Sequence, residues 1–236
     1  MKILHLFDDL MNLYGEYANL LVLERELSKI GQEVEIHTLR LGEQKDISDY
    51  DMYYMGAGTE RKQKIALAEL RKYAPVLKKA KEDGKVILFT GNAFCLLGQS
   101  IIDAQGKTHE ALGLFPFQST EGSRRILGDC YGSCGLISEP IVGFMNKCSK
   151  TVGITAPLFQ LDLGFGNDKD KGPEGMVEGN CFGTHLAGPI LTKNPALLKL
   201  ILQRLPGNLE PKMDDPYMQK AYETTAKALK DRISAG

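Results

Sequence analysis

The residues with the most chemical promise lie between Val86 and Gly98. An apolar run, Val86-Ile87-Leu88-Phe89, meets Thr90-Gly91-Asn92-Ala93 and passes into Phe94-Cys95-Leu96-Leu97-Gly98. A buried strand that turns sharply into a helix presents one side chain and several backbone N–H groups at a single point. That arrangement suits a nucleophile with an oxyanion hole, or an anion site. Gly56-Ala57-Gly58 ends another apolar run and offers further N–H donors. Small residues also close ordinary strand-to-helix turns, so a purely structural bend fits the same pattern. Cys130-x-x-x-Cys134, with Cys148 and Cys181 isolated, makes one knuckle where structural zinc uses two, and no metal site is expected. His5, His37 and His109 have no motif context and read as structural or surface residues. Asp8 and Asp9 either face a site at a strand end or cap a helix.

The elements that must position these residues follow from periodicity and turn chemistry. Lys2 to Leu6 reads as a short buried strand. The helix that follows has Leu20, Leu21, Leu23, Leu27 and Ile30 on its apolar side and stops at Gly31. Glu33 to Leu39 alternates as a strand, and Tyr50 to Met55 is a third. A long helix, roughly Arg61 to Asp83, contains Pro75 and is expected to break or kink there. Val86 to Phe89 is a fourth strand, followed by a helix from Phe94 to Gly98. Alternating strands and helices predict an α/β fold, a mostly parallel sheet flanked by helices. From Ile101 to Asp170 glycines multiply and helical periodicity is lost, which predicts added antiparallel strands. Gly164 to Gly179 reads as a polar surface loop, and Asn180 to His185 as a further strand. Two helices close the chain, about Pro195 to Arg204 and Asp215 to Ile233. Without a linker in view, residues 1–236 are expected to form a single domain.

Composition narrows the class. The 236 residues are 43% hydrophobic, enough for one substantial core. With 29 basic against 30 acidic residues, no bulk charge favours nucleic acid. No apolar run reaches the ~18 residues of a membrane helix, so membrane insertion is not expected. The short apolar start running into Asp8 and Asp9 is not expected to be a signal peptide, and five dispersed cysteines fit reduced thiols in a cytoplasmic protein.

Longer stretches of this chain resemble a known family. They are Leu6-Phe7-Asp8-Asp9-Leu10-Met11-Asn12-Leu13-Tyr14-Gly15-Glu16-Tyr17-Ala18-Asn19, Met55-Gly56-Ala57-Gly58-Thr59-Glu60-Arg61-Lys62-Gln63, and Asn92-Ala93-Phe94-Cys95-Leu96-Leu97-Gly98. Gly164-Phe165-Gly166-Asn167 and Phe182-Gly183-Thr184-His185-Leu186-Ala187-Gly188-Pro189-Ile190-Leu191 complete the set. Together they resemble class I glutamine amidotransferases of the cobyric-acid-synthase type, which have a flavodoxin-like core. Within these, the chain looks most like the glutaminase subunits of lipid II isoglutaminyl synthases. The resemblance implies a cysteine that attacks the glutamine amide, a histidine that activates it, and backbone N–H groups that hold the oxyanion. It also implies a Mur-ligase-like synthetase partner that uses the ammonia on a peptidoglycan stem peptide. No cofactor is implied.

The pattern breaks at the chemistry. Matching Phe94, Leu97 and Gly98 to the family motif puts the nucleophile position at Gly91. Matching Gly183-Thr184 and Gly188-Pro189-Ile190-Leu191 puts the base position at Ala187. Glycine offers no nucleophile and alanine no proton. The resemblance gives oxyanion donors at Gly56, Ala57 and Asn92, and gives Arg125 a role holding the carboxylate of glutamine, for which a guanidinium fork is suited. Cys95 and His185 could form a relocated pair, since Cys95 lies about 6 Å along the helix axis from position 91. Cys95 could equally pack as a small apolar side chain. Three readings follow: a silent homologue that binds a partner or glutamine, an active glutaminase using Cys95 and His185, and an engineered inactive form. The deviating neighbours Asn92 and Ala93 argue against the last. A cobyric-acid-type role in cobalamin synthesis is the alternative pathway.

Overall fold

The computed structural model describes residues 1–235. The chain begins with β1 (Lys2–Leu6), α1 (Ala18–Lys29), β2 (Glu35–Leu39), β3 (Met52–Met55), α2 (Glu60–Leu70), α3 (Ala74–Glu82) and β4 (Val86–Thr90). These strands run parallel in the order β2-β1-β3-β4. The anticipated long helix is two, α2 and α3, joined by a 3-10 turn at Arg71–Tyr73, with Pro75 in the first turn of α3. A missing N–H costs nothing there, because the first helical N–H groups have no partner inside the helix.

Burial of both sheet faces explains the unbroken apolar runs of these strands. Leu4, Leu6, Tyr53, Met55, Ile87 and Phe89 join Ala66, Leu67, Leu70, Leu77 and Ala80 of α2 and α3 in one core. Their neighbours Ile3, Met52, Tyr54, Val86 and Leu88 point the other way and pack with Leu20, Leu23 and Leu27 of α1.

After β4 the chain winds into a 3-10 helix, Gly91–Leu97, where a helix from Phe94 to Gly98 was expected. Next come β5 (Ser100–Ile102), β6 (Thr108–Glu110), the long β7 (Gln118–Ser133), β8 (Ile141–Val152), β9 (Phe159–Phe165) and β10 (Asp170–Glu174). They form a second sheet, antiparallel apart from the β5–β7 pairing, as the loss of helical periodicity predicted. The chain then returns to the first sheet. β11 (Met176–Glu178) pairs with β12 (Cys181–Thr184), and β12 lies parallel to β4. β13 (Leu186–Ala187) crosses back to pair with β8. Three helices follow, α4 (Ile190–Lys193), α5 (Pro195–Arg204) and α6 (Pro216–Ser234).

One sequence expectation needs correction. Residues 164–179, read as a polar surface loop, contain the end of β9, all of β10 and β11, and the fully buried Glu174. Asp168, Lys169, Asp170 and Lys171 are exposed as expected, but Asn167 and Glu174 are buried and hydrogen-bond inside the molecule, which composition cannot distinguish from solvation. No helix among the described residues is long and apolar enough to cross a membrane.

Candidate functional site

Two features meet where β4 ends. Gly91 takes a φ of +60°, in the left-handed region that glycine enters without a Cβ penalty. The chain therefore keeps the sharp bend that presents residue 91. Ala187, carried by β13, stands beside it: a Cβ placed on Gly91 would lie 3.6 Å from the Ala187 Cβ. It would also lie 2.5 Å from the Ala57 Cβ, at the end of β3. The structure thus brings residues 57, 91 and 187 together, with two methyl groups facing a glycine. All three are buried.

A residue not singled out as a site from sequence holds this corner. Glu16, fully buried, accepts from Thr90 Oγ1 at 2.6 Å, Tyr54 Oη at 2.7 Å and Asn19 Nδ2 at 3.1 Å with one oxygen. Its other oxygen accepts from the Gly188 N–H at 2.7 Å. Burial raises its carboxyl above the ordinary range, against the pull of the Thr90, Tyr54 and Gly188 donors and the charge of Lys193. One side chain thereby staples the ends of β3 and β4 to the segment after Ala187. Gly56 lets it approach, since a Cβ there would sit 2.7 Å from the Glu16 Cβ. The signal in sequence was an acid inside an otherwise apolar and turn-forming motif, which gives no hint of its partner 172 residues away.

The loop 56–58 and the elbow are also clasped directly. Asn92 Oδ1 accepts from the Gly58 N–H and Asn92 Nδ2 donates to the Gly58 carbonyl, both at 2.9 Å. Gln63 Nε2 donates to the Asn92 carbonyl at 2.5 Å. Of the backbone groups around the expected oxyanion site, the Gly58 N–H is already engaged by a side-chain amide.

Cys95 and His185 do meet, one layer away. Cys95 Sγ lies 3.7 Å from His185 Nε2, and His185 Nδ1 lies 3.0 Å from Glu174 Oε1. Thr184 Oγ1 donates to the second Glu174 oxygen at 2.6 Å, and the His185 N–H to the first at 2.8 Å. Lys147 Nζ donates to the Gly166 carbonyl at 2.7 Å and lies 3.4 Å from His185 Nδ1. Burial alone would push the Cys95 thiol up, yet the hydrogen bond and charge of His185, with Ser119 and Ser149, bring it down to about 7. Burial likewise raises the Glu174 carboxyl, but His185, Lys147 and Thr184 overcome this and hold it below its ordinary range. A thiol, an imidazole and a carboxylate in this order are the parts of an activated nucleophile. They are also sealed: Cys95 is 1% exposed, and His185 and Glu174 are 0%. Glu174 and Lys147 escaped sequence reading, because one sat in a presumed surface loop and the other among alternating strand residues.

Arg125 is exposed. It donates to Glu60 Oε1 at 2.7 Å and to Asn146 Oδ1 at 2.9 Å. With Arg124, Lys150 and Cys148 of the second sheet and Arg232 of α6 it lines a cleft of about 770 Å³ whose walls do not include Gly91. Asp8 holds the Arg40 guanidinium with both oxygens and Asp9 accepts from the Leu41 N–H, so both tie β1 to the end of β2 and neither caps a helix. Among the described residues no three His, Cys, Asp or Glu side chains gather as a metal site.

The family described as the CobB/CobQ-like glutamine amidotransferase domain matches residues 2–195. A lipid II isoglutaminyl synthase (glutamine-hydrolyzing) subunit GatD from Staphylococcus aureus is 30% identical over 86% of this chain and 84% of its own. The subunit of the same name from Streptococcus pneumoniae is 32% identical over 84% of this chain and 77% of its own. A crystal structure of a glutamine amidotransferase superposes with a TM-score of 0.56, covering 85% of this chain and 97% of that one at 15% identity, which speaks to the fold alone.

Proposed function

This chain belongs to the CobB/CobQ-like glutamine amidotransferase domain family, and from that premise we propose that it is a catalytically silent glutaminase-like subunit of a lipid II amidating complex. Its kinship with two lipid II isoglutaminyl synthase subunits supports the pathway. The partner in this reading is a Mur-ligase-like synthetase that activates a stem-peptide carboxyl group. That partner draws on free ammonia, because this chain supplies none.

The observation that carries the reading is the elbow itself. Glutamine hydrolysis needs a thiolate to attack the side-chain amide carbon, and an imidazole first to take the thiol proton and then to give it to the departing ammonia. A thioester remains, which water opens to glutamate. At the elbow a hydrogen atom of Gly91 and a methyl of Ala187 stand where those groups would be. Loss of a nucleophile costs orders of magnitude in rate, and loss of its base then adds little.

A second reading rests on the sealed cluster. Cys95, His185 and Glu174 have the spacing of a relocated nucleophile, base and orienting carboxylate. Their burial argues against it, since no glutamine reaches a thiol 1% exposed without the surrounding strands parting. An ammonia-release assay on the purified chain, alone and with a Mur-ligase-like partner, decides. Silence predicts no ammonia above the buffer background and no effect of Cys95→Ser. Turnover abolished by Cys95→Ser establishes the relocated site. Turnover that survives Cys95→Ser places the chemistry elsewhere.

A further inference from the structure

We infer that Ala57, held in place by Asn92, locks the empty elbow, so that restoring a nucleophile and a base at residues 91 and 187 is not enough to restore the site. The inference rests on the silent reading and adds that two substitutions alone do not undo that silence.

The obstacle is steric. A Cβ on Gly91 would sit 2.5 Å from the Ala57 Cβ and 3.2 Å from the Ala57 Cα. Carbon atoms in contact keep about 3.5–4.0 Å apart. Both atoms are fixed to backbone, so no rotamer change relieves the clash and only movement of a loop can. Ala187 is no such obstacle, at an ordinary 3.6 Å. Any side chain at residue 91, cysteine included, therefore collides first with Ala57.

The loop carrying Ala57 has little room to retreat. The Ala57 carbonyl accepts from the Leu13 N–H at 2.9 Å. Gly56 is pressed against Glu16, and Gly58 against Met11. Asn92 grips Gly58 through both its N–H and its carbonyl, and is itself gripped by Gln63. The same clasp ties the Gly58 N–H, next in the chain to Ala57, to the Asn92 amide carbonyl, so the loop cannot shift without breaking it.

A double-mutant cycle on the full chain tests the lock, with folding equilibria read by chemical denaturation. Gly91→Ala adds only the Cβ, and Ala57→Gly removes only the obstructing methyl. The left-handed backbone at residue 91 penalises Gly91→Ala equally in both backgrounds and cancels in the cycle. The lock predicts that Ala57→Gly lessens the destabilisation by Gly91→Ala by about tenfold or more in the folding constant. Additivity to within about twofold overturns it. If Gly91→Ala alone does not fold, rescue by Ala57→Gly supports the lock, and failure to fold in both backgrounds overturns it. Asn92→Gly, which frees the loop, should relieve Gly91→Ala in part even with Ala57 present; no relief removes Asn92 from the lock. Activity gives an independent arm. Gly91→Cys with Ala187→His should release ammonia from glutamine no faster than the unchanged chain. Rapid release by that pair, with Ala57 and Asn92 intact, refutes the lock, whereas release by the unchanged chain refutes the silent reading instead.

Discussion

The elbow at Gly91 and the cluster around Cys95 lie four residues apart in sequence and divide between them what a hydrolytic site requires. The elbow has the backbone: a left-handed bend at the carboxyl end of a central parallel strand, stapled by Glu16. It has no reactive group. The cluster has the groups, a thiol, an imidazole and a carboxylate within hydrogen-bonding distance, and no opening to solvent. The contrast shows that position and reactivity are separate properties of a fold. Reactive side chains that are buried and mutually satisfied serve as internal glue, while a sharp bend at a strand end can be held by backbone and buried hydrogen bonds with no reactive side chain on it.

Stability measurements can break or sharpen this contrast. The largest effect should come from Glu174→Ala. It leaves Lys147 and His185 buried without their carboxylate, and loss of one partner from a buried ionic group costs about 3–5 kcal/mol. A denaturation midpoint little changed from that of the unchanged chain would mean the cluster is not structural, and would revive its catalytic reading.

Lys147 makes a pH-dependent prediction. Burial holds its pKa down at about 8, against an ordinary 10.5. Below about pH 8 both states carry the proton and the cost of burying the charge is fully present. Between about 8 and 10.5 the unfolded chain binds the extra proton, so stability rises with pH, by about 3 kcal/mol in total. Above 10.5 the gain is complete. Denaturation of the unchanged chain and Lys147→Met across this window should diverge by that slope. Parallel curves would mean that Lys147 is solvated.

At the elbow the effects should be smaller. Asn92→Ala breaks the two hydrogen bonds to Gly58 and should cost about 1–2 kcal/mol, detectable as a lowered thermal midpoint. Smallest of all is Arg125→Ala. Its ion pair with Glu60 is surface-exposed, and such pairs contribute less than about 1 kcal/mol. A clear loss of glutamine-dependent thermal stabilisation in Arg125→Ala, with the unliganded midpoint unchanged, would identify a ligand role. Unchanged stabilisation by glutamine would leave Arg125 as a surface pair.

Much of the parallel half was legible before any coordinates. Strands such as Val86–Thr90 are apolar on both faces, and their alternation with amphipathic helices leaves few arrangements open. The break at Pro75 was legible too, because proline forbids an uninterrupted helix. The second sheet was visible only as a loss of helical period. The stretch 164–179 was misread in part, since Glu174 and Asn167, which are buried, and Asp170, which is exposed, are equally polar in sequence. Cys95 and His185 were suspected as a pair; the carboxylate that completes them was not.

What the amino-acid sequence determined by itself is the absence of a thiol at residue 91 and of an imidazole at residue 187, because a missing functional group is missing in any fold. What the tertiary structure alone decided is which groups face one another. Cys95 and His185 are 90 residues apart, and they meet because the chain hands over from the first sheet to the second at His185. The same crossing sets Ala187 against Gly91, and the pairing of β3 with β4 sets Ala57 against Gly91 as well. Such meetings depend on strand order and register, which are properties of the whole packed chain and not of any local stretch of it.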